Sequence, residues 1–145
     1  PNGSNWFTGK HVGEDTSHSR VDEDVGYIVI EEGHGVSGGI EIETARGPDI
    51  VVGYTQTTGV HWYNFKRAFS TTPAVAVLSQ VAMDGRDGSW AVSEGSLSVD
   101  SINVALDEDR IGDGERGHTD EQVDYIVFST AGPVTPPRAP GLILD

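Results

Sequence analysis

Two stretches of this chain gather the side chains that could do chemistry. His118 to Phe128 reads HTDEQVDYIVF, and in front of it Asp107 to Gly117 reads DEDRIGDGERG. Calcium takes six to eight oxygen ligands from carboxylates and carbonyls, and Asp107, Asp109, Asp113 and Asp120 are the carboxylates this loop offers. Their spacing is not that of an EF-hand, so a structural calcium ion competes with a simpler reading of solvated acids. The second stretch is an echo near the other end of the chain. His18 to Ile30 reads HSRVDEDVGYIVI, so both copies run from a histidine through acids into Val-x-Tyr-Ile-Val. His18 and His118 lack the His or Cys companions of a zinc site. An imidazole beside acids is favoured in its charged form, so each histidine is expected to tie a loop to a strand.

Other candidates are weaker in pattern. Trp62, Tyr63 and Trp90 could present flat faces to a sugar, though aromatic residues in strands more often fill a core. Acidic pairs occur throughout the loop and single out no catalytic dyad. There is no nucleophile elbow, phosphate loop or dinucleotide fingerprint, so no catalytic residues are assigned and a non-enzymatic role is expected. Asn2-Gly3-Ser4 fits the N-glycosylation pattern.

The setting follows from charge and composition. The net charge of −14 argues against nucleic acid, which is held by Lys and Arg clusters, and against anionic membranes. No apolar run is long enough to be inserted in a bilayer as a helix. There are no cysteines, so the fold has neither disulfides nor thiolate sites, and 145 residues are enough for one domain with its own core. The 19 glycines, 7 prolines and frequent valines favour short strands joined by turns.

The elements that would position these residues are strands. Val25–Glu31 is expected as the first strand and Glu32–Gly39 as a loop. Ile40–Thr44 alternates, with Ile40 and Ile42 inward and Glu41 and Glu43 outward. A turn at Gly47-Pro48-Asp49 is expected to precede a strand at Ile50–Thr57. His61–Phe69 carries the aromatic centre. Ala74–Met83, apolar on both faces, reads as a central strand. Parity flips near Asp100, which predicts a bulge or break before a strand ending at Leu106. Val123–Thr130 closes the domain. Seven or eight such strands imply an all-β fold, an antiparallel sandwich of jelly-roll type, over residues 1–132 with an extended N-terminal segment.

After Gly132 the composition changes. Pro133–Pro140 reads as a polyproline-like linker spanning about 25 Å, followed by an apolar tail. Leu142, Ile143 and Leu144 either fold back on their own domain or form a candidate donor strand that could add to the sheet edge of another copy. Repeated head to tail, that contact does not close, and it would build a homopolymer.

Two groups of residues carry a resemblance. His61-Trp62-Tyr63-Asn64-Phe65, Phe69, Pro73–Val77 and Ser98–Leu106 resemble the H-type lectin domain, a small antiparallel β-sandwich. Residues 11 to 131 together resemble a module that recurs in large secreted and surface proteins of bacteria. The resemblance implies an extracellular adhesive or structural role, with glycans as alternative partners. The sugar-contacting positions of H-type lectins find no match in this chain, and Asp124 stands where the upstream copy has Gly26.

Overall fold

The computed structural model describes residues 8–9, 19, 21–54, 61–112 and 114–132. Within them the protein is all-β, with seven strands in two antiparallel sheets, consistent with a sandwich. The first sheet has the order β1-β2-β7-β4, from β1 (Gly33–Ser37), β2 (Ile40–Val51), β7 (Glu121–Phe128) and β4 (Val75–Gln80). The second has the order β3-β6-β5, from β3 (His61–Asn64), β6 (Ser101–Glu108) and β5 (Ser89–Ser93). Asn2, the Pro-rich linker and the Leu142–Leu144 tail lie outside the described residues.

β1 and β2 form a tight hairpin. Ser37 pairs with Ile40, and the connecting Gly38 and Gly39 have φ of 58° and 81°. A two-residue hairpin loop of this kind needs left-handed backbone at both positions, which glycine adopts without a Cβ clash. The residues expected as a loop are therefore mostly strand.

β2 is longer than its sequence suggests. Gly47-Pro48-Asp49 was expected to end it, yet the strand passes through, with register shifts against β7 between Arg46 and Asp49 and between Asp49 and Val51. Pro48 has no N–H to donate, so it is accommodated at an irregularity rather than in the regular ladder. The chain beyond Val51 then changes sheet. Gly53 bridges Leu106 in parallel, Leu106 N–H donates to the Val52 carbonyl at 3.3 Å, and Tyr54 N–H donates to the Leu106 carbonyl at 2.9 Å.

Three other expectations are corrected. Val25–Glu31 belongs to neither sheet, and residues 21–30 are exposed throughout. β4 is an edge strand rather than a central one. Its apolar residues on both faces reflect its place beside β5 at the open side of the sandwich, with Val77 half exposed. The central strand is β7, held between β2 and β4. Finally, the inward face of β2 carries Glu43, which is fully buried, so the alternation of apolar and acidic residues did not mark the buried face. The break near Asp100 is present: β6 begins at Ser101.

The core lies between the layers. Val51, Tyr63, Phe65, Phe69, Leu106 and Tyr125 belong to one buried cluster. Phe65 and Phe69 meet edge to face at 5.2 Å, and Phe65 and Tyr125 are 5.9 Å apart. Such pairs contribute about 0.5–1.5 kcal/mol beyond the area they bury.

Candidate functional site

Both ends of the sandwich carry the same device, a histidine held between two glutamates. At one end, His118 lies in the approach to β7. Its Nδ1 is 2.9 Å from Glu108 Oε1 at the end of β6, and its Nε2 is 3.0 Å from Glu121 Oε1 at the start of β7. All three side chains are almost wholly buried. When protonated, the ring donates from both nitrogens to the two carboxylates. Burial alone would push its pKa down, but the hydrogen bonds and charges of Glu108 and Glu121 outweigh it and the net shift is upward. One cation between two acids leaves an excess negative charge in a dry site. Burial, opposed by the His118 contact, accordingly holds the Glu108 carboxyl above the usual range.

The clamp crosses the two layers, because Glu108 belongs to the second sheet and Glu121 to the first. Glu121 Oε1 also accepts the backbone N–H groups of Asp84 and Gly85, each at 2.9 Å. Ser89 Oγ stands 3.1 Å from His118 Nε2 and donates to Gln80 Oε1 at 2.9 Å. Gly53 N–H donates to the His118 carbonyl at 3.1 Å. The backbone packs so closely here that a Cβ on Gly85 would stand 2.2 Å from His118 Cε1.

At the other end, His34 on β1 faces Glu43, its cross-strand partner on β2. Nδ1 is 2.8 Å from Glu43 Oε2 and Nε2 is 2.9 Å from Glu41 Oε1. The ring packs edge to face on Phe69 at 5.1 Å. Burial again opposes the charge, and the hydrogen bonds of Glu43 and Glu41 raise the pKa against it. Glu43 Oε1 accepts from Lys66 N–H at 2.7 Å and from the Tyr125 hydroxyl at 3.0 Å. Glu41 Oε2 accepts from both the N–H and the hydroxyl of Ser70 at 2.8 Å, and the Ser70 N–H bond comes first among the causes that lower its pKa. This clamp ties the hairpin to the loop after β3. Burial, together with the Glu43 charge, raises the pKa of Tyr125, so its hydroxyl stays a donor.

The expected role of His118 is thus observed, and its partner in that role is His34. His18 lies outside the described residues. His34 sits in a glycine-rich stretch whose sequence gives no strand pattern, so only the two acids at Glu41 and Glu43, one alternation apart, could have pointed to it.

Of the carboxylates expected for calcium, Asp107 and Asp109 accept hydrogen bonds from nearby residues of the chain. Asp107 Oδ1 accepts from Arg116 Nε at 2.6 Å and from Glu108 N–H at 3.0 Å, and Asp109 Oδ1 accepts from Ile111 N–H at 3.3 Å. Asp120 is exposed, and Asp113 lies outside the described residues. Among the described residues no group of three or more His, Asp or Glu is placed to hold a metal ion. At each clamp the imidazole ring lies between the acids, where a metal ion would have to sit.

The three aromatic candidates separate. Tyr63 is only 3% exposed; its ring lies in the core and its hydroxyl donates to the Pro48 carbonyl at 2.7 Å, so it offers no face to a ligand. Trp62 and Trp90 are 59% and 48% exposed. Trp62 pairs with Asn103 and Trp90 with Asp107, so both stand on the outer face of the second sheet, on either side of β6. Strand geometry places them about 16 Å apart. Trp62 also borders a groove of about 280 Å³ lined by Arg46, Pro48 and Lys66.

The remaining feature is the segment before β1. Val21, Tyr27, Ile28 and Val29 are among the most exposed apolar residues described. Comparisons of the chain with protein-family models, with curated proteins and with solved structures found no match.

Proposed function

We propose that the chain is a non-enzymatic structural module of an extracellular assembly, joined to other copies of its fold by strand complementation. One observation carries this reading. Outside the seven strands, Val25, Ile28, Val29 and Ile30, in a segment with strand-type sequence, are exposed. Each large apolar side chain left exposed forgoes about 1.5–3 kcal/mol relative to full burial, and an apolar run of this kind marks an interaction surface. A strand supplied to another sheet gains backbone pairing as well as pockets for alternate side chains. The sheets have edges to receive one: a groove of about 520 Å³ runs between edge strands β4 and β5, lined by residues 72–76, Ser93 and residues 95–97. The acidic surface keeps free copies apart in solution, and the absence of cysteine suits a module that needs no redox control.

Light scattering and electron microscopy of the purified chain test the reading. Assemblies are expected for the parent and not for Tyr27→Asp/Val29→Asp. Assemblies of unchanged size in that variant would sink the proposal. A chain lacking Gly141–Asp145, run in parallel, tells whether the apolar tail is a second donor.

A glycan-binding role is the second reading, and the exposed Trp62 and Trp90 on one sheet face favour it. A glycan array should then show hits that are lost in Trp62→Ala and Trp90→Ala. An array that is empty for the parent removes this reading.

A further inference from the structure

β4 has two rows of side chains. Ala76 and Leu78 pack on the core. Val75 and Val77 pair with Phe128 and Ile126 of β7, and alternation along β7 places those two partners on the face away from the core. Val81 N–H donates to the Gln122 carbonyl at 2.9 Å, so the register runs on past the end of the strand. The outer row therefore continues by alternation through Ser79 and Val81 to Met83. Val77, Val81 and Met83 are 51%, 40% and 55% exposed. In a chain with 23 acidic and 9 basic residues, none of the positions 75, 77, 79, 81 and 83 is charged. An apolar row of this kind marks an interaction surface.

The position of Gly9 identifies an occupant. A Cβ on Gly9 would stand 3.8 Å from Met83 Sδ, so residue 9 lies against one end of the row. Phe7 and Trp6 precede it by two and three residues. Their Cα atoms are therefore within about 7 and 11 Å of it, since a chain advances at most about 3.3–3.6 Å per residue. Residues 1–9 read Pro-Asn-Gly-Ser-Asn-Trp-Phe-Thr-Gly and carry no charged side chain; the first is at Lys10. The row from Val75 to Met83 is about 26 Å long at the rise of an extended chain, and the eight residues before Gly9 extend about as far. An uncharged segment with two large rings thus starts from the end of an uncharged apolar row of matching length.

We propose that the segment carrying Trp6 and Phe7 straps the outer row of β4 in its own chain, with the two rings over Val81 and Met83. Removing these apolar surfaces from water together drives the contact. Residue 9 is held at that end of the row by the same chain, which favours this occupant over the segment of another copy. β4 is an edge strand, and a covering segment is one way a chain keeps such an edge from pairing with a neighbour. The strap does not depend on the assembly reading above.

Tryptophan fluorescence of the full chain tests it. Trp62→Phe/Trp90→Phe leaves Trp6 as the one tryptophan of three, and both replaced rings stand on the other sheet. Emission from Trp6 is expected at shorter wavelength than in the urea-unfolded chain, with weaker quenching by acrylamide. Adding Val81→Asp/Met83→Asp should shift the emission to the red and restore full quenching. Both positions lie beyond the last residue of β4 and are partly exposed, so a cooperative melt should remain. Emission from the folded chain that already matches the unfolded one overturns the proposal, and so does protection that survives the two aspartates. Protection independent of protein concentration is expected; protection lost on dilution assigns the contact to a second copy and overturns the strap. Should the aspartates unfold the sheet, a cysteine pair decides, since the parent has none. Phe7→Cys/Val81→Cys should close an intrachain disulfide under mild oxidation, which needs Cα atoms about 4.4–6.8 Å apart. Phe7→Cys/Trp90→Cys, with its second site on the other sheet, should not. No intrachain disulfide in the first pair, or an equal yield in both, overturns the proposal.

Discussion

The two histidine clamps use the same groups and differ in what they join. His118 takes its acids from different sheets, Glu108 from β6 and Glu121 from β7, so the ion pairs themselves hold the layers together. His34 takes both acids from its hairpin neighbour β2, and contact with the other layer passes through the backbone of Lys66 and Ser70. The local chemistry is therefore similar while the consequences of losing the ring are not. Without His118, Glu121 keeps the Asp84 and Gly85 N–H groups, while Glu108 stays buried with no other donor shown among the described residues. Without His34, Glu43 keeps the Lys66 N–H and the Tyr125 hydroxyl, and Glu41 keeps Ser70. The number of other donors at each acid, more than the number of ion pairs, decides what each histidine contributes.

That difference sets the size of the expected effects. His118→Ala removes one partner from a buried charge group and should cost about 3–5 kcal/mol, read from urea unfolding. A loss no larger than that of His34→Ala would break the comparison. Gly85→Ala comes next, at about 1–3 kcal/mol, because its Cβ must displace the buried His118 ring. His34→Ala should cost about 1–2 kcal/mol, the scale of a lost charged hydrogen bond whose acceptors keep other donors. The clamps flank opposite ends of β7, roughly 20 Å apart by strand rise, so the two alanine losses should add to within about 0.5 kcal/mol. A large coupling would mean that the clamps act through β7 as one unit.

Much of this architecture was legible in the sequence, and its failures share a cause. Fold class and the approximate strand count follow from turn residues and short valine-rich runs, which are local signals. The role of His118 was legible because its acids are adjacent in sequence. His34 was not, since its strand is glycine-rich and its acids look like a solvent face. Glu43 reads as an outward residue by alternation and is in fact buried, because Tyr125 and Lys66 reach it from parts of the chain far away in sequence. Strand propensity in residues 25–31 is a local signal, whereas membership of either sheet depends on neighbours far away in sequence. Trp62 and Tyr63 are adjacent, and only register separates an exposed face from a core ring.

Acidity offers the subtlest test of the pair. Both imidazoles have raised pKa values in the folded protein. A group with a raised folded pKa contributes stability that is fully present below its unfolded value, about 6.5 for histidine, and lost as pH rises through the folded value. Glu108 acts in the same sense, since its raised pKa makes ionisation cost more in the folded state. Glu41 acts in the opposite sense: its lowered pKa contributes stability that disappears as pH falls through the acid range. Stability should therefore peak in mildly acidic solution and decline from about pH 6.5 upward, by roughly 1.4 kcal/mol for each unit of upward shift. Urea midpoints taken across that range should fall in the parent and fall less steeply in His34→Gln and in His118→Gln, each variant removing its own share of the slope. A parent whose midpoint is flat or rising above pH 6.5 would show that the rings are neutral in the folded state. The clamps would then be hydrogen-bonded contacts between a ring and one protonated acid, and the ordering of the alanine losses would have to come from packing alone.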